Sequence, residues 1–191
     1  MPVDNLDGGT VGVSYFGDKD LKSPVIVSPD AGGVYRAKKF REVLSTKFDT
    51  DAGLAMIVKQ RAKANEVSSM DLVGSVADSD CIIVDDMIDK SGSWIAAAET
   101  VVKRGGARRV YCIATHALFG ADSLDQMEAC PSIDYIVVTN TFPISPAIIR
   151  RSKKLIVIDV SSLLAESIRR HHYGERFVSS GFSCMQKRSY H

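Results

Sequence analysis

Short apolar runs alternate along the chain with longer stretches whose apolar positions recur at helical spacing. Val25-Ile26-Val27-Ser28, Leu54 to Val58, Cys81 to Asp85, Val110 to Thr115, Tyr135 to Thr139 and Leu155 to Asp159 are the clearest runs. None alternates apolar with polar residues, so each predicts a strand covered on both faces. Asp71 to Val76 predicts one more, short strand. Val34, Ala37, Phe40, Val43 and Leu44 share one helical face, with Arg36, Lys38, Lys39 and Arg41 between them as a basic outer face. Trp94 to Arg104, closed by Gly105-Gly106, predicts a second helix, and Leu118 to Ala129 a third. The last helix spans Ser161 to His172, with Leu163, Leu164, Ala165 and Ile168 inward and Gly174 just past its end. Residues 1–23 scatter Gly8, Gly9, Gly12 and Gly17 among Asp and Lys, which predicts an irregular segment with at most one edge strand. The pattern is that of an α/β domain over 24–191, a mainly parallel sheet flanked by helices and wound by right-handed crossovers.

Such sheets bind ligands beyond the carboxyl ends of their strands. The polar clusters fall there: Asp30 to Gly33, Lys59 to Lys63, Asp85 to Ser93, Thr115-His116 and Thr139 to Thr141. The acidic cluster is the most informative. Val84 ends an apolar run, Asp85 and Asp86 follow, Asp89 comes three residues later, and Lys90-Ser91-Gly92-Ser93 opens a helix. A short acidic turn therefore joins a buried strand to a helix N-terminus. The helix start and its small residues offer N–H groups to a phosphate, and the carboxylates can hold sugar hydroxyls or Mg²⁺. Capping alone would need one acidic residue rather than three.

Composition narrows the function classes. The chain has 191 residues, long enough to bury a real core, and a net charge of +1, so no global field recruits nucleic acid or a membrane surface. No apolar run approaches a membrane span. Cys81, Cys112, Cys130 and Cys184 lack CxxC spacing and read as reduced cytoplasmic thiols. His171 and His172 are adjacent at a helix end, His191 is last, and no histidine pair has metal-ligand spacing.

Other loops carry weaker signals. Asp30 with Gly32 and Gly33 could bind Mg²⁺ beside a closely approached phosphate, or could serve only as a strand-to-helix turn. Lys59, Arg61 and Lys63 could stabilise charge on a polyphosphate, or form a solvated surface run. Lys38, Lys39 and Arg41 are assigned to the solvated face. His116 either donates to a ligand or caps the next helix, and Trp94 is assigned to packing.

These residues resemble the C-terminal half of ribose-phosphate diphosphokinases, which make phosphoribosyl diphosphate. The resemblance runs from Pro2-Val3-Asp4-Asn5-Leu6 through Val27 to Gly33, Lys59 to Glu66 and Val84 to Asp89. It continues through Ala114-Thr115-His116, Val137 to Thr141, Ile158 to Ser161 and Leu164 to Arg170. It implies a phosphoribosyltransferase type I-like fold and transfer of diphosphate from ATP to the anomeric hydroxyl of ribose 5-phosphate. It assigns the 5-phosphate to Asp89, Lys90, Ser91, Gly92 and Ser93, the ribose hydroxyls and metal to Asp85 and Asp86, and Mg²⁺ to Asp30. Lys59 and Arg61 become the catalytic cationic pair. The partners implied are ribose 5-phosphate, ATP and, in the full-length protein, further copies of itself.

Two departures stand out. The family usually has Asp-Thr-x-Gly-Thr where this chain has Asp89-Lys90-Ser91-Gly92-Ser93, which adds a cation that either strengthens phosphate binding or points to solvent. The family's N-terminal half, with a metal-binding histidine, much of the ATP site and much of the subunit interface, has no counterpart here. The chain is therefore expected to continue a missing N-terminal half, to bind ribose 5-phosphate and to turn over little. The alternatives are a phosphoribosyltransferase consuming phosphoribosyl diphosphate and a non-catalytic regulatory subunit.

Overall fold

The structure, a computed structural model, describes residues 6–59, 70–120 and 122–175. Seven strands form one sheet: β1 (Val25–Ser28), β2 (Gly53–Lys59), β3 (Met70–Val73), β4 (Asp80–Ile88), β5 (Arg109–Ala117), β6 (Tyr135–Thr139) and β7 (Leu155–Ile158). Their order is β3-β2-β1-β4-β5-β6-β7, all parallel except β3, which runs antiparallel to β2 along one edge. The chain winds outward from β1 to β2, then returns and winds the other way from β4. The strand order therefore reverses between β1 and β4, where Val27 sits beside Ile83. A crevice opens above such a reversal, because the flanking connections leave in opposite directions.

The helices are α1 (Gly9–Gly17), α2 (Val34–Phe48), α3 (Gly92–Lys103), α4 (Ser123–Ala129), α5 (Pro146–Arg151) and α6 (Ser161–His172). Alternate residues of the central strands face opposite layers. Cys81 and Ile83 of β4 meet Trp94, Ala97, Ala98 and Val101 of α3 with Leu124 and Met127 of α4. Ile82 and Val84 meet Val13 and Phe16 of α1 with Ala37, Phe40 and Leu44 of α2. Two-sided burial explains the unbroken apolar runs, since neither face of β4 could tolerate a polar set.

Three expectations are corrected. Residues 1–23 are not irregular throughout: Gly9–Gly17 is helical, and Val11, Val13 and Phe16 are buried. Gly12 is there for close approach, since a Cβ would lie 2.4 Å from Ile113 Cδ1. The third helix is shorter than the apolar pattern suggests, starting at Ser123 rather than Leu118. On α6 only Leu163 is buried, while Leu164 and Ile168 are exposed, because β7 is an edge strand and offers half a face to pack on. α5 was not expected; Ser145 accepts a hydrogen bond from the Ala147 N–H and Pro146 opens the helix, a start signal hidden by its shortness.

Candidate functional site

β4 carries the carboxylates further than the apolar run implies. It remains paired with β5 through Ile88 beside Ala117, so Asp85 and Asp86 are strand residues rather than part of a turn. Only Asp89 to Ser91 join the strand to α3. Ile88 is buried while Asp86 and Met87 face solvent, which anchors the strand end under the site.

Asp85 is half-buried. Its Oδ1 accepts the Asp86 N–H at 2.9 Å and a hydrogen bond from Arg36 Nη1 at 2.5 Å. Arg36 Nη2 lies 3.4 Å from Asp86 Oδ2, so one guanidinium spans both carboxylates. Burial pushes the Asp85 carboxyl above its ordinary value; the Asp86 amide and Arg36 oppose this by favouring the charged form. The spacing places Arg36 on the outer face of α2. It belongs instead to the site, and the partner that places it, Asp85, is 49 residues distant in sequence. Lys39 is not simply solvated either, since it pairs with Asp7 Oδ2 at 2.8 Å.

These groups line a cavity of about 430 Å³ at the strand-order reversal. Its walls are the start of α1, the inner face of α2 and the carboxyl ends of β4 and β5. Gly8 lets α1 start against β5, since a Cβ there would lie 2.6 Å from Thr115 Cγ2. His116 also lines the cavity; its Nδ1 is 2.9 Å from Thr141 Oγ1, and Thr139 and Thr141 both donate to the Thr115 carbonyl. His116 does not cap the following helix, because β5 runs on to Ala117.

Asp30 closes the loop after β1. Its Oδ1 accepts the Gly33 N–H at 2.9 Å and its carbonyl accepts the Ser28 hydroxyl at 2.6 Å. Its other carboxylate oxygen makes no hydrogen bond among the described residues. Gly33 must be small, since a Cβ would lie 2.8 Å from Ser28 Oγ.

The start of α3 is open. Gly92 and Ser93 are exposed, and nothing lies within 4 Å of where a Gly92 Cβ would be. No side chain caps the helix, and the N–H groups of Gly92, Ser93 and Trp94 meet no acceptor among the described residues. Ser91 does not present its hydroxyl to this opening: it is buried and donates to Gln126 Oε1 on α4. Lys90 and Asp89 are exposed, and Lys90 has no partner among the described residues. The segment before α4 braces this turn from behind. Phe119 N–H donates to the Ile88 carbonyl at 2.8 Å, Gly120 N–H to the Asp89 carbonyl at 2.9 Å, and Ser123 Oγ to the same carbonyl at 2.7 Å.

Lys59 is the last residue of β2 and its backbone pairs with Met70; its side chain, with Arg61 and Lys63, lies outside the described residues. Among the described residues no group of three His, Cys, Asp or Glu side chains is placed to hold a metal. Asp30, Asp85 and Asp86 nonetheless supply the oxygen donors that Mg²⁺ prefers, and Mg²⁺ commonly takes one or two carboxylates and completes its shell with water and substrate phosphate.

The arrangement combines a carboxylate pair, suited to hydroxyls or a hard cation, with an uncapped helix start suited to an anion. Together they define an α/β protein with a carboxylate pair and an open helix start at the carboxyl ends of its strands. The model of the Phosphoribosyl synthetase-associated domain family matches residues 47–180, and the chain belongs to that family. It is 46% identical over 171 residues to a ribose-phosphate pyrophosphokinase of Haemophilus ducreyi, covering 89% of this chain and 52% of that protein. It is 41% identical over 183 residues to ribose-phosphate pyrophosphokinase A of Dictyostelium discoideum, covering 96% and 55%. The crystal structure of phosphoribosylpyrophosphate synthetase from Mycobacterium smegmatis superposes with a TM-score of 0.74 at 30% identity, over 91% of this chain and 53% of that one. The chain thus spans about half the length of these relatives.

Proposed function

We propose that this chain is the ribose 5-phosphate-holding portion of a ribose-phosphate diphosphokinase, the activity in which ATP gives its diphosphate to the anomeric hydroxyl. The observation that carries the reading is the continuity of β4 with α3: a carboxylate pair, Asp85 half-buried and Asp86 exposed, leads within a few residues to three helix-start amides that meet no acceptor among the described residues. A phosphate at Gly92, Ser93 and Trp94 would accept those N–H groups, with the Ser93 hydroxyl alongside and the exposed Lys90 adding charge. Asp85 and Asp86 would then accept the ribose hydroxyls once Arg36 yields them. Asp89, exposed beside Lys90, would contribute at the same end.

ATP and Mg²⁺ are proposed as partners, with Asp30 and the Asp85–Asp86 pair as the residues that would hold the metal. A bound Mg²⁺ would neutralise charge on the polyphosphate. Lys59 and Arg61 are proposed to stabilise the transferring group, since Lys59 ends a sheet strand and Arg61 comes two residues later in the sequence. This chemistry consists mostly of positioning and electrostatics, so the chain's own role is orientation of the acceptor sugar. Assembly with further copies and a cytoplasmic setting are proposed on family likeness. Among the described residues no helix is long and apolar enough to cross a membrane.

Two measurements on the 191-residue chain test the proposal. Calorimetric titration should show binding of ribose 5-phosphate and much weaker binding of ribose. Turnover with ATP, Mg²⁺ and ribose 5-phosphate should be far below that of the longer relatives. Equal affinity for the two sugars would sink the phosphate assignment, and full turnover would sink the division of labour.

A further inference from the structure

His116 lies near the carboxyl end of β5 and lines the same cavity as Asp85 and Asp86. Its neighbours fix which of its ring nitrogens carries hydrogen. The Thr115 carbonyl, which has no proton to give, lies 2.7 Å from Thr139 Oγ1 and 3.0 Å from Thr141 Oγ1. Each hydroxyl has a single proton, and both are given to that carbonyl. Thr141 Oγ1 therefore has none left for His116 Nδ1, 2.9 Å away, and accepts from it instead. Nδ1 carries the hydrogen, so in the uncharged ring Nε2 is a bare lone pair. Thr139 is buried and anchors the arrangement. His116 is exposed, and its Nε2 meets no partner among the described residues. The cations lining the cavity are engaged by carboxylates, Arg36 by Asp85 and Asp86 and Lys39 by Asp7. A donor for Nε2 must therefore come with the ligand. A phosphate brings only acceptors to such a lone pair, whereas a sugar hydroxyl brings a proton. The amides at the start of α3 have the opposite preference, and they do not line this cavity.

We propose that His116 is a ligand-binding residue that accepts a ribose hydroxyl through Nε2, its tautomer set by Thr141, and so turns the hydroxyl end of the sugar phosphate towards the cavity and the phosphate end towards α3. The assignment rests on the ribose 5-phosphate reading given above and adds a recognition group to it. It also makes His116 an acceptor rather than a donor to the ligand.

The test uses nitrogen NMR and calorimetry on the 191-residue chain. At about pH 8.5, where an imidazole is ordinarily uncharged, His116 should show a protonated Nδ1 and a bare Nε2. Ribose 5-phosphate should shift the Nε2 resonance, and inorganic phosphate should leave it in place. His116→Asn keeps an N–H for Thr141 in the place of Nδ1 and has no atom in the place of Nε2. It should weaken ribose 5-phosphate about five-fold, the worth of one hydrogen bond between neutral groups. Its thermal midpoint and its affinity for inorganic phosphate, read at the Gly92 amide, should stay at the wild-type values. His116→Gln, whose Oε1 falls near the place of Nε2, should recover the affinity to within about two-fold of the wild type. A protonated Nε2, unchanged ribose 5-phosphate affinity in His116→Asn, equal weakening of both ligands, or a glutamine variant as weak as the asparagine one would each overturn the assignment. A wild-type chain that binds neither ligand would overturn the functional reading and this assignment with it; wild-type binding with an unaffected His116→Asn overturns the assignment alone.

Discussion

Arg36 holds both carboxylates that the sugar or a cation would need, and removing it should have two effects of opposite sign. At about 4 Å between charge centres the attraction is roughly 4 kcal/mol in a medium of effective dielectric about 20. The Arg36 side chain is 41% exposed and that of Asp86 50%, against 28% for Asp85, so solvent screens most of this. A net contribution of about 1 kcal/mol is expected, at the upper end for exposed pairs. Arg36→Gln should therefore lower the thermal midpoint by roughly 2–4 °C for a chain of this size. The same interaction must be displaced by an incoming cation, so its loss should raise divalent-ion affinity about five-fold. Mn²⁺, standing in for Mg²⁺, can be followed by water-proton relaxation, and stability by urea titration. Lys38→Gln is the control: Lys38 makes a solvent-exposed pair with Glu42, and its loss should change neither quantity. An Arg36→Gln variant with lower midpoint but unchanged cation affinity would refute the competition. An unchanged midpoint would refute the ion pair itself.

Two further predictions concern other carboxylates. Burial raises the Asp85 pKa above its ordinary 3.8, so the unfolded chain loses this proton first; the Asp85 contribution to stability falls as pH rises from 3.8 through the folded value and is level above it, against the opposite trend of Asp78, Glu128, Asp159, Glu166 and Glu175, whose carboxyls are held low. Asp85→Asn should lack that fall in urea titrations run across the window, while weakening ribose 5-phosphate binding at least ten-fold in calorimetry; a fall of the same size in the variant would assign it to another group. At the opposite end of β4, Asp80 is fully buried and accepts from Arg108 Nη2 at 2.6 Å and the Lys22 N–H at 2.9 Å, with Oδ1 lacking a partner among the described residues. Arg108→Ala should cost about 2 kcal/mol by urea titration, below the usual range for a buried pair because Arg108 is 36% exposed, and adding Asp80→Asn should recover most of it; a loss under about 0.5 kcal/mol would mean water replaces the guanidinium.

The strands were legible because their burial is two-sided. A residue such as Ile82 faces α1 and α2 while its neighbour Ile83 faces α3 and α4, so the whole run must be apolar. α6 was legible to the residue, Ser161 to His172, but its buried face was not, since that depends on β7 lying at an edge. α1 was missed because glycine weakens local helix preference, and packing against Ile113 and Phe40, which requires Gly12, leaves no local trace. The acidic cluster stands out in the sequence as the candidate site. Its internal wiring was hidden, because Arg36 reaches Asp85 and Ser91 reaches Gln126 across 49 and 35 residues.

α1 supplies one wall of the cavity and covers part of the sheet face over β4 and β5. A shortened chain begun at the first strand would keep every strand and still be a poor reagent. Loss of Val13 and Phe16 would bare Ile82, Tyr111 and Ile113, a contiguous sticky strip. For anyone shortening this chain, the cut belongs ahead of Leu6 rather than at Val25, or the exposed strip will drive aggregation.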